Sequence, residues 1–381
     1  MRRVVYITGS RADYGLFSQT LHRIKEHPDL ELELIVAAMH LAPEFGYTVR
    51  LVEKDRFHIA ARIETLLAGD SGGSMSRAIG LAVLGLTQAL ESIQPDVLIL
   101  LGDRGEMLAG AIVAAHLNIA IAHVHGGEVS GTVDESVRHA ITKFAHIHFP
   151  STRENAERII KMGEDPTRVH VVGAPGLDYL HFVEPIARAE IESDLNLDLS
   201  KPLLLVTQHP VTTEVEAAAE QMRITLEAVK AIGVQTVISY PNADSGGRAM
   251  IRVLEEYESL SFVRIRPSLG QRRYVSLLRY ASAMVGNSSS GIIETPFFGL
   301  PVINIGTRQQ SRQRAENVLD VPHDQEAIEQ AIRKALTNEA FIQQARHCTN
   351  PYGDGHAGER IAQILAQVPL DRGFLQKRLT Y

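Results

Sequence analysis

The sequence predicts an α/β protein built from two Rossmann-like α/β/α halves. Short apolar runs recur along the chain, each ending on polar turn residues and separated from the next by a helix-length segment. That is the pattern of parallel strands joined by crossover helices. The pattern starts over after residue 202, and 381 residues is a two-domain length, at about 100–200 residues per domain. In such sheets the loops at the carboxyl ends of the strands form the ligand crevice. The expected organisation is an N-terminal half over 1–177 carrying acid–base groups, a linker over 178–201, a C-terminal half over 202–360 and a tail over 361–381. The halves are expected to face a central cleft, with the C-terminal helix returning to the first half.

The composition narrows the class. Hydrophobic residues make up 45% and charged residues 22%, the balance of a globular domain. A net charge of −7 gives no basic footprint for nucleic acid. The single cysteine, Cys348, allows no internal disulfide and fits a reducing compartment. The apolar run after Arg2 and Arg3 is too short for a signal peptide, and no run reaches membrane-spanning length. A cytoplasmic protein is expected.

Arg2–Thr8 reads as the first strand, running into Gly9-Ser10-Arg11-Ala12-Asp13-Tyr14-Gly15 and then a helix over Leu16–Glu26. A helix start offers free N–H groups to an anion, and Arg11 adds a guanidinium fork. The dinucleotide fingerprint GxGxxG is absent, and Ser10 or Asp13 acting only as a cap is the plainer alternative. Leu32–Ala38 is the second strand, with His40 just beyond its end. A helix after Gly46, a strand over Phe57–Ile63, the polar loop GDSGGSMS (69–76) and an apolar helix over Ser76–Ser92 follow.

The stretch 96–138 carries the densest chemistry. The strand Asp96–Leu101 ends on Gly102-Asp103-Arg104, and Ile119–Val124 ends on His125-Gly126-Gly127-Glu128. Asp103 is a candidate catalytic carboxylate, or simply the N-cap of a helix over Glu106–Leu117. Thr132 and Glu135 fit a capping box for the next helix, 134–144. Along that helix Glu135/His139 and Asp134/Arg138 stand at i,i+4 spacing. His123 and His125, two apart on a strand, point to one face, yet no spacing here matches a known metal motif. Strands over 146–151 and 168–173 complete the first sheet.

The second half has strands at Leu203–Gln208, Gln235–Tyr240, Phe262–Arg266, Met284–Gly286 and Val302–Ile305, with a helix over Thr213–Ala231. His209 precedes Pro210 and is held extended. Asn242 lies in the polar run PNADSGG (241–247). Gly286-Asn287-Ser288-Ser289-Ser290-Gly291 leads into a helix at Ile292, so hydroxyls and backbone amides converge as a phosphate pocket does. Glu294 is placed to accept from ribose hydroxyls, and Arg308 ends the following strand. A terminal helix covers Ala357–Leu365.

Taken together, TGSRADYG (8–15), MHL (39–41), LGDR (101–104), HVHGGEVSGTVDESVRHAITK (123–143), QHPVTTE (208–214), PNADSGG (241–247), GNSSSGIIE (286–294), INIGTRQ (303–309) and YGDG (352–355) resemble the hydrolysing UDP-N-acetylglucosamine 2-epimerases, relatives of the GT-B glycosyltransferases. The resemblance runs almost end to end. It implies elimination of UDP across C1–C2 of the sugar to a bound glycal, then hydration with protonation of C2 from the opposite face. UDP and a free manno-configured N-acetylamino sugar result. By the same resemblance Asp103, Asp134 and His209 match catalytic positions. Ser288, Ser289, Gly291, Glu294 and Arg308 match the UDP-binding set, and Arg11, Asp13, His40, Arg104, Glu128, Arg138 and Asn242 complete the substrate side. His125 stands where some members carry a catalytic Glu; an imidazole replaces a carboxylate as proton donor but not as an anionic stabiliser.

The implied substrate is UDP-N-acetylglucosamine for sialic-acid-type products, with UDP-2,4-diacetamido-2,4,6-trideoxyglucose for legionaminic acid as the alternative. The GDRGEM wording (102–107) leans slightly to the latter. A GT-B transferase, a UDP-sugar binding protein and a metal-dependent hydrolase are the competing readings. No cofactor or metal is expected, and a homo-oligomer (dimer or tetramer) is.

Overall fold

The computed structural model describes every residue except Ala68, Asp70, Ser130, Gly131, Thr132, Ala243 and Tyr381. It divides into two compact units, Met1–His181 with Tyr352–Tyr381 and Phe182–Pro351.

Unit 1 alternates strand and helix: β1 (Arg2–Thr8), α1 (Arg11–Glu26), β2 (Leu30–Ala37), α2 (Val49–Lys54), β3 (Ile59–Ile63) and α3 (Gly72–Ile93). Then come β4 (Val97–Leu101), α4 (Gly105–His116), β5 (Ala120–Val124), α5 (Val133–Phe144), β6 (Ile147–Phe149) and α6 (Arg153–Lys161). All strand pairings are parallel, in the order β3-β2-β1-β4-β5-β6. That order reverses direction between β1 and β4, the switch point where a Rossmann sheet opens its crevice.

Side-chain alternation explains why the strands read as unbroken apolar runs. Val97, Ile99 and Leu101 of β4 enter one core layer, and Leu98 and Leu100 enter the other. A strand covered by helices on both faces has no polar side.

Unit 2 begins with α7 (Arg188–Leu195), β7 (Leu203–Thr207), α8 (Ala218–Ile232), β8 (Gln235–Ser239) and α9 (Gly247–Glu255). It continues with β9 (Val263–Arg266), α10 (Gly270–Tyr280), β10 (Ala283–Gly286), α11 (Ser290–Ile293), β11 (Val302–Ile305), β12 (Val318–Val321), α12 (Gln325–Thr337) and α13 (Glu339–Arg346). Its parallel sheet runs β12-β11-β10-β7-β8-β9, the same Rossmann order, with its switch point between β7 and β10.

Several expectations need correction. Residues 178–201 are no linker: Asp178 is buried and accepts from the N–H groups of Ala357 and Gly358, while Ile191 and Leu195 of α7 lie in the core of unit 2. The second half does not extend to 360. From Tyr352 the chain belongs to unit 1, where α14 (Ala357–Gln367) places Ile361 and Leu365 in the core that α1 lines with Phe17 and Leu21. The C-terminal helix thus returns to the first domain, as the expected fold class has it.

A short α15 (Arg372–Leu375) follows, and Lys377 donates to the carbonyls of Thr142, Lys143 and Ala145 at the end of α5. The segment 168–173 is not a strand; it contributes one bridge, His148 to Val169. The edge strand β12 was missed, because VLDV is half-exposed and lacks a long apolar run.

Helices begin earlier than the apolar periodicity does. The Ser10 side chain caps α1 and Ser71 caps α3, so part of the supposed 69–76 loop is helix. Among the described residues no helix is long and apolar enough to cross a membrane.

Candidate active site

In unit 1 the carboxyl edges of β4, β5 and β6 gather Asp103, His125, Glu128, Arg138 and Ser151 into one bonded cluster. Asp103 does not cap α4: the cap position is Arg104, which makes no side-chain cap bond. The Asp103 carboxylate instead accepts from the guanidinium of Arg138, a side chain only 9% exposed. Arg138 also donates to the carbonyl of Glu128 (3.0 Å). One arginine on α5 therefore ties the turns after β4 and β5 together.

His125 leaves the strand with φ +61, in the left-handed region. Non-glycine residues held there store strain, which gathers at functional sites. The turn is fixed by His125 N–H donating to Phe149 O (3.1 Å) and by Gly127 at φ +78. A Cβ on Gly127 would collide with the Asn155 carbonyl, and Arg158 clamps the Gly127 carbonyl. This bend breaks the expected pairing of His123 and His125 on one face.

The His125 ring turns to Glu128 and Ser151. Nδ1–H donates to Glu128 Oε1 (2.7 Å), and Ser151 Oγ lies 2.7 Å from the same nitrogen while donating to Glu128 Oε1 (3.3 Å). A carboxylate on Nδ1 fixes the tautomer and leaves Nε2 as the nitrogen for proton transfer.

Asp134 is exposed in the first turn of α5, one turn before Arg138. Glu135 and His139 approach within 3.8 Å as the spacing predicts. The proposed capping partner Thr132 lies outside the described residues. Among the described residues no group of three His, Cys, Asp or Glu side chains is arranged to hold a metal.

A second cluster sits at the ends of β1 and β2. Asp13 and His40 are buried, and their polar atoms are turned inward. Asp13 accepts from Thr8 Oγ1 (2.7 Å), Gly9 N–H (3.2 Å) and the Ser10 hydroxyl. His40 donates to Thr8 Oγ1 (2.9 Å), and its other nitrogen accepts from Thr48 (2.8 Å). This network shapes the Gly9–Ser10 turn and leaves Arg11 exposed at the first position of α1. Glu106 links the two clusters: it pairs with Arg104 (3.3 Å), and its carboxyl would stand 3.1 Å from a Cβ on Gly9. A side chain at Gly9 would require that carboxyl to give by a few tenths of an ångström.

In unit 2 the switch point is spanned by His209, after β7, and Asn287, after β10. His209 N–H donates to Asn287 Oδ1 (2.7 Å), and Asn287 Nδ2 donates back to His209 O (2.8 Å). The Asn287 carbonyl accepts from Arg308 (3.1 Å) and Gln309 (3.0 Å).

Asn242 N–H donates to His209 Nδ1 (3.0 Å), which puts the His209 proton on Nε2. Burial, then the Arg308 charge, pushes the His209 pKa down to about 4, so it is a neutral donor near neutral pH. Burial, then Arg312, also lowers the Arg308 pKa.

Ser288 and Ser289 are partly exposed, and the Ser289 hydroxyl makes no cap bond. Ser290 joins Tyr274 (2.6 Å) to Glu294 (2.6 Å), and Gly291 is buried against Val302. The helix at Ser290 is one turn long, because Pro296 has no N–H to continue it. Hydroxyls, amides and arginine, rather than a long helix dipole, line this edge, a chemistry suited to an anion.

Sequence reasoning missed Ser151, Asn287, Gln309 and Tyr274. Each acts through partners distant in the chain, His209 being 78 residues from Asn287.

Two Rossmann-like domains, one edged with carboxylates and imidazole and the other with arginine, hydroxyls and amides, have the groups of a nucleotide-sugar enzyme of GT-B-like fold. The family model described as UDP-N-acetylglucosamine 2-epimerase matches residues 22–366. A Legionella pneumophila protein named UDP-N,N'-diacetylbacillosamine 2-epimerase (hydrolyzing) is 42% identical over 381 residues, all of both chains. A Campylobacter jejuni protein named GDP/UDP-N,N'-diacetylbacillosamine 2-epimerase (hydrolyzing) is 34% identical over 89% of this chain and 88% of its own. Among solved structures, the UDP-GlcNAc 2-epimerase from Neisseria meningitidis bound to UDP-GlcNAc superposes with TM-score 0.80 over 96% of this chain and 100% of that one, at 17% identity, a likeness of fold. The chain belongs to the UDP-N-acetylglucosamine 2-epimerase family and is a hydrolysing nucleotide-sugar 2-epimerase.

Proposed function

We propose that the substrate is UDP-N,N'-diacetylbacillosamine, the 2,4-diacetamido-2,4,6-trideoxyglucose nucleotide, ahead of UDP-N-acetylglucosamine. The observation that carries this choice is the 42% identity, over the whole of both chains, to the Legionella protein of that name. The products are UDP and the free 2-epimer, and the reaction is a net hydrolysis.

The chemistry proceeds in two balanced steps. Loss of the C2 proton and cleavage of the C1–O bond give UDP and a glycal. Water then adds its oxygen to C1, and a proton reaches C2 from the opposite face. His125, oriented by Glu128 and Ser151, moves a proton through Nε2, and Asp103, held by Arg138, supports positive character at C1. Asp134 serves as the second acid–base group. Positioned proton transfer contributes roughly 10²–10⁴-fold at each step.

UDP leaves as an anion, which Arg308, the neutral Nε2–H of His209, Ser288 and Ser289 are built to receive. Arg11 and Arg104 supply further positive charge, Glu294 accepts from ribose, and Asn242 and Gly291 hold the pocket's shape. Asp13 and His40 serve as braces of the Gly9 turn.

Proton NMR in D₂O, with each UDP-sugar in turn, tests this reading. Expected are UDP release and a manno-configured sugar bearing deuterium at C2, formed faster from the diacetamido substrate. Faster turnover of UDP-N-acetylglucosamine would reverse the choice of substrate, and UDP release without inversion would remove the mechanism.

A further inference from the structure

We infer that His123 is a positioning residue for this reaction: one buried imidazole sets the mutual placement of the Asp103 turn, the His125 turn and the arginine-bearing helix α5. The inference rests on the function proposed above.

His123 is fully buried at the penultimate position of β5, and both of its ring nitrogens face a partner. Nε2 lies 2.8 Å from the carbonyl of Gly102, the residue before Asp103. A carbonyl only accepts, so the proton is on Nε2 and Nδ1 is bare. Nδ1 lies 3.1 Å from the hydroxyl of Thr142, one turn beyond Arg138 on α5; that hydroxyl shares its single proton between this nitrogen and the Arg138 carbonyl (3.0 Å). The Nδ1 edge also backs the His125 turn: a Cβ on Gly126 would stand 3.0 Å from His123 Nδ1 and 3.1 Å from Thr142 Oγ1. Burial pushes the His123 pKa down to about 3, which keeps the ring neutral across the working range, while the Gly102 carbonyl selects the tautomer.

The three contacts fall on three different turns or helices, and each belongs to a separate member of the candidate site. Gly102 sits at φ +74, so the plane of its carbonyl sets the direction in which Asp103 leaves the strand. Thr142 fixes the depth of α5 and with it the reach of Arg138 to Asp103. A core histidine that only filled space would need neither bond. Displacing a reacting group by about 1 Å costs on the order of 10²-fold in rate, so small shifts here are read out in turnover before they are read out in folding.

The test compares His123→Leu, His123→Gln and Thr142→Val by steady-state kinetics, UDP affinity and thermal melting, using whichever UDP-sugar the wild type turns over. His123→Leu keeps the volume and removes both bonds; kcat is expected to fall about 10²-fold, with KM and the UDP dissociation constant within about three-fold. His123→Gln can reach the Gly102 carbonyl again and is expected to recover most of that loss. Thr142→Val, a change confined to one hydroxyl, is expected to lower kcat several-fold and remains informative if His123→Leu does not fold.

Wild-type kcat in Thr142→Val together with a melting temperature lowered in all three variants would show a purely structural histidine and overturn the inference. Parallel losses in kcat, 1/KM and UDP affinity would overturn it too. Failure of the wild type to release UDP from either sugar would instead sink the proposed function, so the two failures are distinct.

Discussion

The two units share a strand order and differ in what their strand ends carry. Around its switch point unit 1 presents three carboxylates and an imidazole, namely Asp103, Glu106, Glu128 and His125, each held by a charged or hydroxyl partner. Unit 2 presents amides, hydroxyls, the Arg308 guanidinium and the neutral imidazole of His209, centred on Asn287. The function proposed above uses one backbone plan for proton transfer at one edge and for anion binding at the other. The difference lies in a few residues after each strand, which is where α/β sheets place their chemistry.

The comparison can be broken by mutation. Asp103→Asn and Asp134→Asn are expected to lower kcat by about 10²–10⁴-fold, with UDP affinity nearly intact by calorimetry. Near wild-type turnover in either variant removes that carboxylate from the chemistry. Arg308→Ala is expected to show the opposite split. UDP binding weakens about 10–100-fold for the loss of a charge-assisted contact, while kcat at saturating substrate changes little. If kcat falls as far as affinity does, the arginine acts in the transition state and the division between the edges is blurred.

Acid sharpens the comparison through stability. Burial holds the pKa of His123 at about 3 and those of His146 and His209 at about 4, all below the unfolded value. Because the folded pKa is depressed, the unfolded chain binds more protons between about pH 4 and 6.5. Stability is therefore complete above about pH 6.5 and lost as pH falls below it, by about 2 kcal/mol for each of these histidines at pH 5. Two of the three are in unit 1. Hydrogen exchange at pH 5 should find unit 1 opening first, and earlier exchange in unit 2 would contradict the assignment. The smallest effect is expected from Ser151→Ala, which leaves Glu128 to hold His125 and should lower kcat only several-fold, near the roughly 1 kcal/mol of one hydrogen bond.

Much of this was legible in the sequence, and the rest was illegible for identifiable reasons. Eleven of the twelve strands among the described residues were legible, most of them because strands covered on both faces read as apolar runs. The exposed edge strand β12 was not, and Val169–Val172 imitated one. The 178–201 segment looked like a linker because Pro185 and a charged helix surface outweighed Ile191 and Leu195, which are buried all the same. Asp103 looked like a cap because a cap is a local explanation, and its partner Arg138 lies 35 residues on. Asn287 was passed over inside a serine-rich run, since nothing local indicates an amide that bonds the backbone of another strand end. Residue types at strand ends can be read from sequence; which of them hold each other depends on sheet order.

The return of the chain at Tyr352 has a consequence for biosynthesis. Unit 1 lacks Ile361 and Leu365 of its core, and the lysine that closes the end of α5, until residues 352–377 have left the ribosome. All of unit 2 is translated before then. Nascent chains usually fold from the N-terminus onward, but here the half that is made first matures last. During synthesis its apolar α1 face waits uncovered for the length of a whole domain, and a chaperone has the longest opportunity to engage the chain there.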